Sequence, residues 1–255
     1  MMTNKPSISK IKFTTLDVEN TFGNLRFNET GESASSDFQD FEITVCKGNK
    51  KPIPTSVWMV SMQSATNCHC RLNNLCPISE SCYGLDYEEN PIFKDATLRC
   101  RQKDEDAIDF LVKHPLGALF FANKIIEMSK RTRNEDKKLK YFRWNVTGDL
   151  KSIRHLIFVQ EVARILYNEL GVITILYTHN KDVVKTYLEN LQYTNRKTYL
   201  KILGSGFMVD ANFDCFASEY DAKCSSNCVE CFKTNGVAFC YDIDFNGVIK
   251  EDFRQ

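Results

Sequence analysis

YFRWNVTGDLKSIRHLIFVQEVARILYNELGVITILYTHNKDVVKTYLENLQYTNRKTYLKIL, residues 141–203, decides the fold. Within it YFRWNV (141–146), VITILYT (172–178) and TYLKIL (198–203) are short runs of aromatic and β-branched residues and read as strands. Ser152 to Leu170 carries apolar residues at helical spacing, with polar Ser152 at its start and Gly171 where a C-cap belongs. Asp182 to Leu191 reads as a further helix. Strands that alternate with helices of this length imply a parallel sheet with right-handed crossovers, either an α/β layer or a partial (βα) barrel.

Outward from this stretch, TSVWMVSM (55–62) reads as a buried strand entered through the structure-breaking KGNKKPIP. Asp95 to Lys113 and Leu116 to Arg131 read as helices separated at His114-Pro115, because proline disfavours helix in the residue before it. The charged run RTRNEDKKLK closes them as a solvated helix end and loop. Phe41 to Cys46 (FEITVC) reads as a short strand behind the polar loop GESASSDFQD. The expected organisation is an N-terminal extension or edge hairpin over residues 1–54. A single α/β domain follows over 55–255, with cysteine-rich loops at 68–82 and 215–240.

Composition narrows the function classes. With 255 residues, 43% hydrophobic and 12% aromatic, the chain is no disordered polymer and buries enough surface to stabilise a core unaided. Its 33 basic residues balance 33 acidic ones, so it has no long-range field for steering polyanions. Nucleic-acid binding would rest on Lys130 to Lys140 and the aromatics Tyr141, Phe142 and Trp144, yet alternate aromatics in a strand are ordinary core. No segment reaches the roughly 18 apolar residues of a membrane span, and the N-terminus has no apolar signal region, so a cytoplasmic protein without a membrane partner is expected.

The 11 cysteines are the unusual feature. In a reducing cytosol, clustered thiols act as metal ligands or redox groups more often than as disulfides. The first group, Cys68, Cys70, Cys76 and Cys82, follows the strand 55–62, where loops of a parallel sheet bind ligands. The second, Cys224, Cys228 and Cys231 in C-x3-C-x2-C spacing, has Cys215 before it and Cys240 after it. Three thiolates from one tight loop suit an iron–sulfur cluster, and four suit zinc. Spacing does not choose between them.

Three strand ends between these groups carry polar residues: Thr147-Gly148-Asp149, Thr178-His179 and Gly204-Ser205. In a parallel sheet they meet on one rim, where Asp149 and His179 form an acid–base pair and Thr147, Gly148, Thr178 and Ser205 line a cofactor. The bland alternative makes Asp149 a cap of the following helix and His179 a turn residue. His69, His114 and His155 have weaker claims.

These residues also resemble a known family. Cys76-Pro77 with Cys82-Tyr83-Gly84, the strand end Asn145 to Leu150, Tyr177-Thr178-His179 and Cys224 to Cys231 look like the gene-product-88-like proteins of phages and mobile elements, over about Val57 to Cys240. Family members carry a Cys-Pro…Cys-Tyr-Ala loop, a His-x-Ser-Gly-Asp-Phe-like strand end and a Tyr-Thr-Lys-like strand end. Asn145, Thr147 and His179 here replace that histidine, serine and lysine. The layout is also similar to radical S-adenosylmethionine barrels, in which Thr147-Gly148-Asp149 would occupy the position that holds the methionine end of the cofactor. That resemblance implies an iron–sulfur cluster together with S-adenosylmethionine and, for a phage-encoded chain, the host cytoplasm.

Two functions stand at this point. One is a metal-binding α/β protein, iron–sulfur or zinc, acting as a radical-S-adenosylmethionine-like enzyme on an unknown small molecule. The other is a zinc-stapled, non-catalytic module that binds a host or viral protein.

Overall fold

The computed structural model describes residues 8–20, 40–48, 54–76, 79, 82–190, 196–205, 207 and 209–213. In chain order these form β1 (Ile8–Thr14), α1 (Thr15–Asn20), β2 (Asp40–Lys47), β3 (Val57–Met59), α2 (His69–Leu72), α3 (Tyr83–Glu89), α4 (Lys94–Lys113) and α5 (Gly117–Arg131). There follow β4 (Tyr141–Trp144), α6 (Ile153–Leu170), β5 (Ile173–Thr178), α7 (Lys181–Asn190), α8 (Arg196–Tyr199), β6 (Leu200–Ser205) and β7 (Ala211–Phe213).

The strands make one seven-stranded sheet in the order β1 to β7. It is mixed: β1–β2 and β2–β3 are antiparallel, and every pairing from β3 to β7 is parallel. The parallel part agrees with the alternation read from residues 141–203. The antiparallel β1–β2 pair is a hairpin at the sheet edge, and its pairing through β2 to β3 makes the sheet mixed and not parallel throughout. Among the described residues the order is linear from β1 to β7, and no pairing closes a barrel.

The core lies where α4, α5 and α6 pack against the sheet. Phe142 and Trp144 of β4 alternate inward, and their rings lie 5.4 Å apart. Phe121 of α5 stands 5.4 Å from Trp144, and Phe158 of α6 stands 5.9 Å from it. α6 buries Leu156, Phe158, Val159, Val162, Ala163 and Leu166, an apolar stripe that recurs every three to four residues. Gly171 ends it at φ 67°, the left-handed C-cap that a side chain resists. α4 stops at Lys113 and α5 starts at Gly117, so the proline does divide them.

β1 was not legible as a strand, because only Ile11 and Phe13 point inward from it. Both join the common core, where Phe13 packs 5.3 Å from Phe41 and 5.1 Å from Phe120. No helix among the described residues is long and apolar enough to cross a membrane.

α4 runs along β2 and brings a carboxylate into the interior. Asp104 is fully buried, and its Oδ1 accepts the Thr44 N–H at 2.6 Å. Arg101 Nη1 stands 3.5 Å from Oδ2. Burial pushes the Asp104 carboxyl up to about 6 despite the Thr44 hydrogen bond and the Arg101 charge. The folded state therefore keeps a proton that the unfolded chain releases above about pH 4. Stability falls as pH rises through that window, and the penalty is complete at neutral pH. Asp104→Asn retains an acceptor for Thr44 and removes the charge. It should stabilise the protein by about 2 kcal/mol at neutral pH and by little near pH 4, as read by urea unfolding. Unchanged pH dependence in the variant would contradict this account.

Candidate functional site

Val60 still bonds the β4 segment, donating to the Arg143 carbonyl at 3.1 Å and accepting from Val146 N at 3.3 Å, and beyond it the chain turns into the rim, with Ser61, Met62, Gln63 and Ser64 all buried. The turn after β4 stacks directly on it. Thr147 N donates to Ser61 Oγ at 3.2 Å and Thr147 Oγ1 to the Gln63 carbonyl at 2.9 Å. The turn needs two left-handed residues, Asn145 at φ 60° and Gly148 at φ 77°. A Cβ on Gly148 would lie 2.5 Å from Gln63 N, so the close approach that the glycine permits is to the protein's own backbone.

This turn aims Asp149 inward at 1% exposure. Its Oδ1 accepts from Leu150 N and from Thr178 Oγ1, each at 2.6 Å, and its Oδ2 accepts the His179 N–H at 2.6 Å. His179 Nδ1 stands 3.4 Å from the same Oδ2. Asn145 Nδ2 donates to the Tyr177 carbonyl at 2.7 Å, which ties the same turn to the end of β5. Asn180 completes the joint: its Nδ2 donates to the Leu150 carbonyl at 3.0 Å and its Oδ1 accepts Val183 N at the start of α7.

Two cysteines of the first group, Cys68 and Cys70, lie near this carboxylate. Gln63 Oε1 accepts both the Asp149 N–H at 3.3 Å and the His69 N–H at 2.9 Å, which links the rim to the start of α2. Cys68 stands at the N-cap of α2, and Cys70, its second residue, is buried. Burial first, and then the Asp149 carboxylate beside it, push the Cys70 thiol far up. Cys68 is pushed up to about 11, first by burial and then by Asp149, against the N–H groups of Arg71 and Cys70 and the nearby His179. Cys82 stands at the N-cap of α3. That helix is stapled over the loop by buried Glu88, which accepts from Ala65 N at 2.6 Å and from Thr66 N and Oγ1 at 2.8 Å.

The structure thus brings Asp149, Thr178 and His179 together with Cys68 and Cys70, and puts Thr147 and Gly148 in the supporting turn. Ser205 ends β6 one residue beyond Gly204, the partner of Thr178 in register. Asp149 does not cap α6, whose N-cap is Ser152. Among the described residues no three His, Cys, Asp or Glu side chains are grouped to hold one metal ion. Cys215, Cys224, Cys228, Cys231 and Cys240 lie outside the described residues.

Sequence reasoning missed Gln63, and it gave no role to Asn145 or Asn180, although both stand in the strand-end stretches it singled out. Gln63 had a signal, a lone amide ending the run VWMVSMQ. Asn145 had another, a residue type that tolerates the left-handed region at a strand end.

No curated protein and no solved structure matches the chain. A family model described as Gene product 88 matches residues 43–197, from within β2 into α8. That span holds Cys68 to Cys82, Asp149 and His179, and ends before Ser205 and the C-terminal cysteines. A match over more than half of its length places the chain in the gene product 88 family.

Proposed function

We propose that the rim is a cofactor-bearing active site. In this reading the cysteine loop 68–82 holds a thiophilic centre, iron–sulfur or zinc, and Asp149 with His179 exchanges protons with a small molecule beside it. One observation carries it: a buried carboxylate, an imidazole and the thiols of Cys68 and Cys70 converge at the ends of parallel strands. Loops at strand C-termini are where such sheets hold ligands.

The donor chemistry suits a soft cation, because thiols crowded beside a carboxylate resist ionising until positive charge arrives. The further ligands would come from Cys76 and Cys82 or from Cys215, Cys224, Cys228, Cys231 and Cys240. The more specific form of this reading is a partial βα barrel with S-adenosylmethionine. The consecutive parallel order β3 to β7 supports it, as does the position of Thr147-Gly148-Asp149 after the second parallel strand. There Asp149 would hold the cofactor's amino group, since Thr147 and Gly148 are engaged by Gln63. A second reading, the zinc-stapled binding module, draws on the same network: Leu150, Thr178 and His179 already donate to Asp149, as in a structural hub.

Anaerobic purification with elemental analysis and visible absorption separates the two. Iron with broad visible absorption supports the active site and excludes the zinc-stapled module, whereas zinc alone removes the iron–sulfur and S-adenosylmethionine form. Where Cys76 and Cys82 supply the further ligands, Cys76→Ser and Cys82→Ser should lower metal content and melting temperature together. Full occupancy with unchanged melting in both variants would remove Cys76 and Cys82 as ligands.

A further inference from the structure

A second polar cluster joins α6 to α4, apart from the Asp149 hub. Ser152 occupies the N-cap of α6 but makes no capping hydrogen bond with its side chain. A serine in that place ordinarily accepts a backbone N–H and contributes about 1 kcal/mol by doing so. Here Ser152 Oγ lies 3.1 Å from Nδ1 of His155 instead. The other ring nitrogen, Nε2, lies 3.1 Å from Oδ1 of Asp109 on α4, 46 residues away in sequence. Lys151 Nζ holds the second oxygen of Asp109 at 2.6 Å and reaches Glu105 at 2.7 Å.

The arrangement sets the proton positions. Burial pushes the Asp109 carboxyl up, but hydrogen bonds from His155 and Lys151 outweigh it and hold the group below the usual carboxylate range. An ionised carboxylate only accepts, so Nε2 of a neutral His155 carries the hydrogen and Nδ1 presents its lone pair to the serine hydroxyl. The imidazole is sheltered, with 9% of its side chain exposed, whereas Ser152 is only half-buried. A sheltered base beside the hydroxyl of a half-buried serine, and oriented by a third group, is the geometry of an activated nucleophile.

We infer that Ser152, His155 and Asp109 form a nucleophile–base–carboxylate relay that hydrolyses carboxylic esters. Ser152 Oγ bonds to the ester carbonyl carbon while its proton passes to His155 Nδ1, and the carbonyl π pair moves onto oxygen. Collapse of that adduct breaks the bond to the leaving oxygen, which takes the proton from Nδ1 and departs as the alcohol. Water then repeats the sequence on the acyl-serine, releasing the acid and restoring the hydroxyl. Asp109 stays ionised and supports the imidazolium. The relay uses no residue of the cysteine loop, so it stands whichever centre that loop takes.

The test uses the full-length chain with p-nitrophenyl acetate and a fluorophosphonate probe. The expected result is one phosphonyl adduct per chain, mapped by peptide mass spectrometry to Ser152. Ser152→Ala and His155→Gln should each lower kcat/KM by at least about 100-fold, the usual weight of a positioned base. Circular dichroism and melting of Ser152→Ala should match the parent chain. Absence of an adduct on Ser152 in the folded parent chain overturns the inference and needs no variant to be read. Hydrolysis unchanged in a folded Ser152→Ala overturns it as well.

Discussion

Asp149→Ala is expected to lower the free energy of unfolding by about 3–5 kcal/mol, since three strong donors lose a buried charged acceptor. Leu150 N, Thr178 Oγ1 and His179 N all reach that carboxylate at 2.6 Å, and at 1% exposure water cannot take its place. For a chain of this size the loss corresponds to a fall in melting temperature on the order of 10 °C. Asp149→Asn should fall between the two. Its Oδ1 still serves Thr178 and Leu150, but its amide nitrogen meets the His179 N–H, donor against donor. Urea unfolding followed by circular dichroism reads both variants. If Asp149→Ala melts within about 2 °C of the parent, a load-carrying role for this carboxylate is wrong.

Gly148→Ala is the second large effect, expected at about 3 kcal/mol or more. A left-handed conformation costs a non-glycine residue roughly 1 kcal/mol. The larger part is steric. The new methyl would lie 2.5 Å from Gln63 N and 2.8 Å from Gln63 Cα, backbone atoms that cannot rotate away. Relief requires the 61–64 segment to shift, and with it the Gln63 amide that holds both Asp149 N and His69 N. The variant should therefore lose stability and also disturb Cys68 and Cys70. Thiol modification by a chromogenic disulfide reads that disturbance, with faster reaction at these two cysteines expected. Parent-like melting together with parent-like thiol reactivity would refute the coupling.

Much of the architecture was legible because it rests on local periodicity. The strand–helix alternation over 141–203 matches β4, α6, β5, α7 and β6, and Gly171 caps α6 as its position implied. The helix break at His114-Pro115 follows from a clash between neighbouring residues. The short elements were not legible. α3 buries Leu85 and Glu88 but is too brief to show a period, and Glu88 reads as solvent-facing until Ala65 and Thr66 arrive to meet it.

At the site the division is similar. The parallel order brought the ends of β4 and β5 to one rim, so Asp149, Thr178 and His179 could be named from the chain alone. Their arrangement could not. Asp149 as a helix cap and Asp149 as a buried hub have the same sequence, and the difference lies with β5, 29 and 30 residues onward.

Residue types and spacing set the elements, their caps and the face of each that is apolar, because these depend on neighbours within a turn or a pleat. Contacts at long sequence separation decided the rest: the antiparallel β1–β2 edge, the seat of Gln63 beneath Gly148, and the reach of His155 across to Asp109. A hydrogen bond forms only when two distant polar groups are buried in the same place, and the packing of the core chooses that place.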